Sequence, residues 1–190
     1  MGNKIKHFQT VMRHKKYVFH ECRRCGIGWQ GLKHDLSKFS VTEFNSSAQY
    51  FQGNRSPIKA EKIKNGYSFA WQHHMGHNPH HWQYWIDYAS DGSLILVKMP
   101  YKYVVEMVCD WIGAGKAYNK GKWSQDMPMK HYKKQYKERH LHRDTNKLLY
   151  IFCKCIQVEG LDGFYTLAKS KPLKKEYESG WKHFERRGGE

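Results

Sequence analysis

The groups in this chain best suited to chemistry are its histidines and the few acids placed among them. At His34-Asp35 an imidazole and a carboxylate stand side by side, and the Lys38 ammonium follows three residues after the acid. An adjacent His-Asp pair at a helix end can hold a divalent cation, because both side chains offer lone pairs and neither serves apolar packing. With 13 histidines in the chain such a dipeptide can arise by chance, so its surroundings carry the argument. Five histidines, His73, His74, His77, His80 and His81, fall within nine residues, more than packing requires. Upstream, His7 and His14 lie a whole number of turns apart in a segment whose apolar residues (Phe8, Val11, Met12, Val18, Phe19) recur at helical spacing. Downstream, Glu106 and Asp110 are four residues apart on one face of the most apolar stretch, and acids in that setting need a buried base or a metal.

The elements that must position these groups read as helices. The first spans about 5–21 and is broken by Gly26-Ile27-Gly28; a short second one, Trp29 to Leu36, carries the His-Asp pair. Ser40 and Glu43 form a capping box opening a helix over about 41–51, in which the Ser40 hydroxyl takes the Glu43 amide and the Glu43 carboxylate returns to Ser40. A further helical turn is expected at Ala60 to Ile63. His73 and His74 end the next helix, and Asn78-Pro79 reads as the cap and first position of another that runs through Trp85 and Tyr88 with His80 and His81 in its first turn. The two histidine pairs then face one another across a short loop. Pro100 opens a buried helix, Tyr101 to Tyr118, beside which Gly113, Gly115 and Lys116 would let a ligand come close. A basic helix over 128–140, a helix from Leu148 to Val158 that stops at Gly160, and a short segment at 164–167 complete the pattern. No alternating stretch is long enough for a sheet, so the expectation is an all-α, single-domain helical bundle over residues 1–170 with a fraying basic tail at 171–190.

Composition bounds the function. A mean hydropathy of −0.86 is poor for a core, but 29 of the 190 residues are Phe, Tyr or Trp, so the core should be aromatic. No run of 18 apolar residues and no signal-peptide pattern appear, which predicts a soluble, cytoplasmic protein with no membrane association. Five cysteines, an odd number, fit no closed disulfide framework, and the Cys22/Cys25 pair lacks the second pair a zinc site would need. The net charge of +16 attracts phosphorylated ligands and polyanions alike, without separating nucleotides from nucleic acid.

Taken in order, His14, then His34-Asp35 followed by two residues and Lys38, then the histidine cluster, then Asp110 in an apolar helix resemble the HD-domain metal-dependent phosphohydrolases. The resemblance spans roughly residues 7–120. It implies His14, His34, Asp35 and Asp110 as ligands of one divalent metal, with Asp35 bridging to a second. The intervening histidines are similar to the extra ligands of binuclear HD proteins such as the HD-GYP branch, which assigns His74 (or His73), His80 and His81 to the second ion. The GYP element itself is absent, and the glutamate that the nucleotidase branch carries one turn after the pair is here Lys38. The wording around H-D-L-S-K-F-S, Arg55-Ser56-Pro57 and H-H-W is also similar to uncharacterised bacterial and phage proteins.

The implied activity is metal-assisted attack of water on the phosphoester of a nucleotide or another phosphorylated small molecule. One or two divalent ions (Mn, Fe, Co, Mg, Ni or Zn) would serve, with Asp35 and Lys38 as catalytic residues. Lys38, Arg55, His77 and Lys116 are the expected substrate contacts. Trp71, Trp111 and Tyr118 are expected to pack in the core before serving as platforms for a base, and His7 to be a partly exposed helix residue. Two alternatives are a binuclear iron oxygenase of the same fold and a basic nucleic-acid-binding protein with a structural metal.

Overall fold

A computed structural model describes residues 2–53, 56–119, 123–135, 140–179 and 184–187. The described chain is predominantly all-α: α1 (Gly2–Arg24), α2 (Gly28–Lys33), α3 (Val41–Gln49), α4 (Pro57–Asn65), α5 (Phe69–His77), α6 (Tyr101–Tyr118), α7 (Asp126–Gln135), α8 (Arg143–Ala168) and α9 (Lys171–Ser179). Single 3-10 turns lie at Leu36–Phe39 and Trp82–Trp85. Among the described residues no helix is long and apolar enough to cross a membrane.

The core forms where α6 meets α1 and α8. Val104, Val105, Val108, Cys109 and Ile112 recur on one side of α6 and are fully buried with Val18, Leu149, Phe152, Ile156 and Phe164. Each such side chain contributes roughly 1.5–3 kcal/mol on burial. Gly113 lets α1 and α6 approach, since a methyl there would sit 2.5 Å from Val18 Cγ2. Its smallness therefore serves helix packing rather than the approach of a ligand. Gly115 is likewise crowded, by the Trp123 ring at 2.8 Å from such a methyl.

Several boundaries differ from the sequence reading. The short second helix stops at Lys33, before the His-Asp pair, and α4 is a full nine-residue helix with Pro57 at its first turn. His80 and His81 occupy a turn rather than a helix, because Asn78 closes α5 instead of capping a new element. Beyond them a small antiparallel sheet appears: β1 (Ile86–Tyr88), β2 (Leu94–Val97) and β3 (Phe184–Arg187), in the order β1-β2-β3. Asp87 pairs with Ile95, and Ile95 with Arg186. Strands of three and four residues are too short to show a period of two, which is why the pattern was not legible. Within residues 171–190, α9 docks through the buried Tyr177, whose hydroxyl donates to the Met99 carbonyl at 2.6 Å, and β3 closes the sheet, so these parts are tied to the bundle. The stop expected at Gly160 is present: within α8 its φ of +76° and ψ of −167° are non-helical and separate two helical runs, the second of which ends at Ala168.

Candidate metal centre

One left-handed residue shapes the centre. His34 closes α2, and Asp35 follows at φ 55°, ψ 28°, the sole non-glycine positive φ among the described residues. Aspartate tolerates this region at a cost of about 1 kcal/mol. Here it reverses the chain so that two consecutive side chains reach one point. Lys15 on α1 holds the turn, donating to the carbonyls of Leu32 (2.8 Å) and His34 (2.6 Å). α1 then supplies His14, α6 Asp110, α5 His74, and the turn after α5 supplies His80 and His81.

These side chains surround the buried Asp35 carboxylate, and its two oxygens face different partners. Oδ2 lies 3.1 Å from His34 Nε2 and 3.6 Å from His14 Nε2, which is itself 3.0 Å from Asp110 Oδ1. Oδ1 lies 3.3 Å from His74 Nε2 and 3.5 Å from His80 Nε2. Two sets result, His14/His34/Asp35/Asp110 and Asp35/His74/His80/His81; within each, the donor atoms lie within 4.8 Å of one another. They share Asp35. Donors bound to one ion at about 2.1 Å sit roughly 3.0–3.4 Å apart, close to these separations.

The same atoms lack ordinary partners. Nε2 of His14, His34, His80 and His81 and Oδ1 of Asp35 are buried, yet no hydrogen bond to a described residue reaches them. His14 Nε2 and Asp110 Oδ1 are close enough for a hydrogen bond but are not aligned for one, as expected of groups aimed past each other at a common centre. Leaving five polar atoms buried and unpaired would cost roughly 1–3 kcal/mol each. A divalent cation satisfies such lone pairs, so the donor set fits a metal.

Behind the donors stand two carboxylates that fix the imidazoles. Glu106 accepts from His34 Nδ1 at 2.9 Å and from the Gln30 amide at 2.7 Å, and lies 3.3 Å from His80 Nδ1. Glu43 accepts from His74 Nδ1 at 2.8 Å and His73 Nδ1 at 2.7 Å. For His34, His80 and His74 this contact turns Nε2 inward, the usual support for a ligating histidine. This decides between the neighbouring histidines: His74 points at Asp35, whereas His73 stacks on His77 with ring centroids 4.0 Å apart. It also corrects the capping box. Ser40 does accept the Glu43 amide at 3.2 Å, but the Glu43 carboxylate is spent on histidines. Asn78 completes the wall, donating to Ser37 Oγ and the His74 carbonyl, both at 2.7 Å.

Electrostatics follow from four buried or half-buried carboxylates gathered in one place. Burial pulls the His34 imidazole down, but Asp35, Asp110 and Glu106 outweigh it and raise it well above its ordinary value. Burial pushes Asp35 up, yet His34, Lys38 and His74 hold it well below the carboxylate range. Asp110 is held down in the same way by His14 and His34. Glu106, despite burial, is brought to about 2 by its bonds from His34 and His80. His81 goes the other way: burial, then His80 and His74, lower it well below its usual value and keep its lone pair free. Asp35, Asp110 and Glu106 therefore stay ionised at neutral pH, which favours a cation among them.

The expected substrate contacts fare differently. Lys38 sits at the centre, donating to Asp35 Oδ2 at 2.5 Å, and is raised in spite of burial, chiefly by Asp35. Lys116 does not face the centre: its ammonium donates to the buried Glu21 carboxylate at 2.6 Å, where the Tyr165 hydroxyl also donates. Six residues separate it from Asp110, about 120° around the helix. His77 is exposed at the end of α5, its Nδ1 donating to the His73 carbonyl at 2.7 Å. Arg55 lies outside the described residues. His7 proves to be buried, at 6% exposure, against Phe44 and Phe51.

A cleft of about 780 Å³ opens onto His80, His81 and Asp110. Trp71, Trp111 and Tyr118, expected mainly in the core, form its walls, and Tyr118 is 47% exposed. Sequence reasoning had flagged Glu106 as an acid in need of a partner. Glu43 reads in the sequence only as a cap, because its partner His74 is 31 residues away.

Neither the curated proteins nor the solved structures contain a match to this chain. A family profile does match, over residues 3–155, which takes in every donor of the centre. The chain therefore belongs to DUF5662, a family of unknown function.

Proposed function

We propose that this chain is a cytoplasmic, metal-dependent phosphohydrolase of the HD-domain type, acting on a nucleotide or related phosphoester. The observation that carries this reading is the division of the Asp35 carboxylate, with Oδ2 turned to His14 and His34 and Oδ1 to His74 and His80. The two sets, which share Asp35, would each hold a divalent cation. Such cations would supply a water of lowered pKa and neutralise charge developing on phosphoryl oxygens.

The chain's own residues do the rest. Glu106 and Glu43 keep Nε2 of His34, His80 and His74 facing inward, and Asp35, with one carboxylate oxygen toward each set, would orient a water for attack. Lys38, fixed on Asp35 and half-exposed, offers its remaining N–H groups to a phosphoryl oxygen. His80, His81 and Asp110 sit at the floor of the cleft, so a phosphoester entering it meets the donors directly. The aromatic walls exclude water from one side of the substrate.

Metal analysis, followed by phosphate release from a nucleotide panel with Mn-, Fe-, Co- or Mg-loaded protein, tests the reading. Turnover is expected in wild type and absent in Asp35→Ala. Equal release from both would show that the assigned centre is not the site of reaction. Tightly held iron together with an oxygen-dependent product would replace hydrolysis by oxygenase chemistry.

A further inference from the structure

We infer that the centre's substrate is a single-stranded nucleic acid, laid along the cleft by two lysine-bearing helices. This rests on the hydrolase reading for its chemistry, but on different residues for its binding. α4 reaches the cleft through Lys62, whose ammonium stands 5.2 Å over the Trp71 ring. Lys59, one turn earlier, shares that side of the helix. α7 reaches the cleft through Met127 and His131. At 100° per residue Lys130 and Lys134 fall within about 60° of Met127 around that helix.

All four lysines are exposed, and none has a carboxylate partner among the described residues. The acids on these helices are otherwise engaged: Glu61 is buried and takes the Ser68 hydroxyl, and Asp126 takes the Gln157 amide at 3.0 Å. Two separate helices therefore present unneutralised cations beside one cleft.

A single phosphoryl group is already provided for by Lys38. Cations spread over two further helices suit a ligand with charges at intervals, as along a phosphodiester backbone. Between them stand Trp71, Trp111 and Tyr118, and aromatic faces beside a basic track are what bind unpaired bases. A duplex hides its base faces by stacking and so cannot use these rings. The strand would lie with one phosphodiester over His80, His81 and Asp110, its neighbours reaching the lysines on either helix.

Fluorescence anisotropy with a labelled 20-mer oligothymidylate, and with a duplex of the same length, tests this directly. With four backbone contacts, affinity for the single strand should fall roughly 50-fold between 50 and 200 mM salt. Lys59→Ala/Lys62→Ala and Lys130→Ala/Lys134→Ala should each weaken binding roughly tenfold and flatten the salt dependence, each lost contact removing about 0.7 from the log–log slope. Lys171→Ala/Lys175→Ala on α9 is the control for diffuse charge. Equal affinity for duplex, or an equal loss in the α9 variant, or no loss in the cleft variants, would overturn the inference. Metal content and turnover judge the hydrolase reading separately: a strand bound through the cleft lysines without turnover would sink that reading and leave this site standing, while turnover of mononucleotides without strand binding would do the reverse.

Discussion

Two clusters of metal-capable side chains lie along the same pair of helices, and they behave in opposite ways. Toward one side of α1 and α6, Cys22, Cys25 and Cys109 meet in the core, with Cys109 Sγ 3.8 Å from Cys25 Sγ. Toward the other, His14 and Asp110 meet the Asp35 turn. Cys109 and Asp110 are consecutive residues, so adjacent positions serve the two ends of this contrast. The thiols are weakly polar and sit among Val18, Val105 and Ile112. Burial, then Cys22 and Cys25, push the Cys109 thiol well above its normal value, which keeps it protonated and inert. His34 and His80, by contrast, face Glu106 through Nδ1 and are left without partners on Nε2. Proximity of ligating atoms is common to both clusters. Supporting acids and unpaired inward ring nitrogens belong to one, and that difference is what a cation site would require.

The contrast can be broken most decisively at Asp35. Asp35→Ala removes the carboxylate shared by both donor sets, and bound metal measured by mass spectrometry should fall from near stoichiometric to below about a tenth, with hydrolysis lost by three or more orders of magnitude. Retained metal would mean that the two sets are not joined through Asp35. Glu106→Gln should come next, because it unfixes His34 and His80, one from each set. A drop in metal affinity of about 10–100-fold is expected in competition with a chelator. Glu43→Gln touches only His74 among the donors, so its loss should fall near the lower end, about tenfold.

Acid gives a finer probe on metal-free protein. The folded Glu106 carboxyl is depressed to about 2 from an ordinary value near 4.5, so its contribution is complete above 4.5 and disappears as pH falls through about 2. At most it is on the order of 3 kcal/mol. Urea midpoints in EDTA should decline between pH 5 and 3 in wild type and less steeply in Glu106→Gln; parallel declines would remove Glu106 from the account. The smallest effect on metal is expected from the thiol side. Cys22→Ala and Cys109→Ala should each cost about 1–2 kcal/mol of stability through lost packing, with metal content unchanged. A fall in metal there would erase the distinction between the clusters.

Much of the centre was legible in the chain. His14, His34, Asp35, the His73-His74 pair, His80, His81 and Asp110 stand out because their residue types are rare in packing roles and their spacing is dense, and the structure gathers all of them but His73 in two donor sets that share Asp35. The buried helix over 101–118 was readable to the residue, since its apolar period is long and Pro100 marks its start. Less was legible where partners are distant. Lys116 was assigned to substrate by its position after two glycines, yet it lies on the Glu21 side of α6, and only the packing of α1 and α8 reveals that. Glu43 looked like a cap because a cap is local, and its histidine partners are not.

What the sequence by itself determined is the helical class and the stock of donors: periodicity and residue type are local properties, and they survive without knowledge of the fold. What only the tertiary structure decided is which way each donor faces. The left-handed turn at Asp35, the choice of His74 over His73, the two acids behind the imidazoles and the lysine-edged cleft all depend on contacts between segments tens of residues apart, and no local pattern encodes the direction of a lone pair.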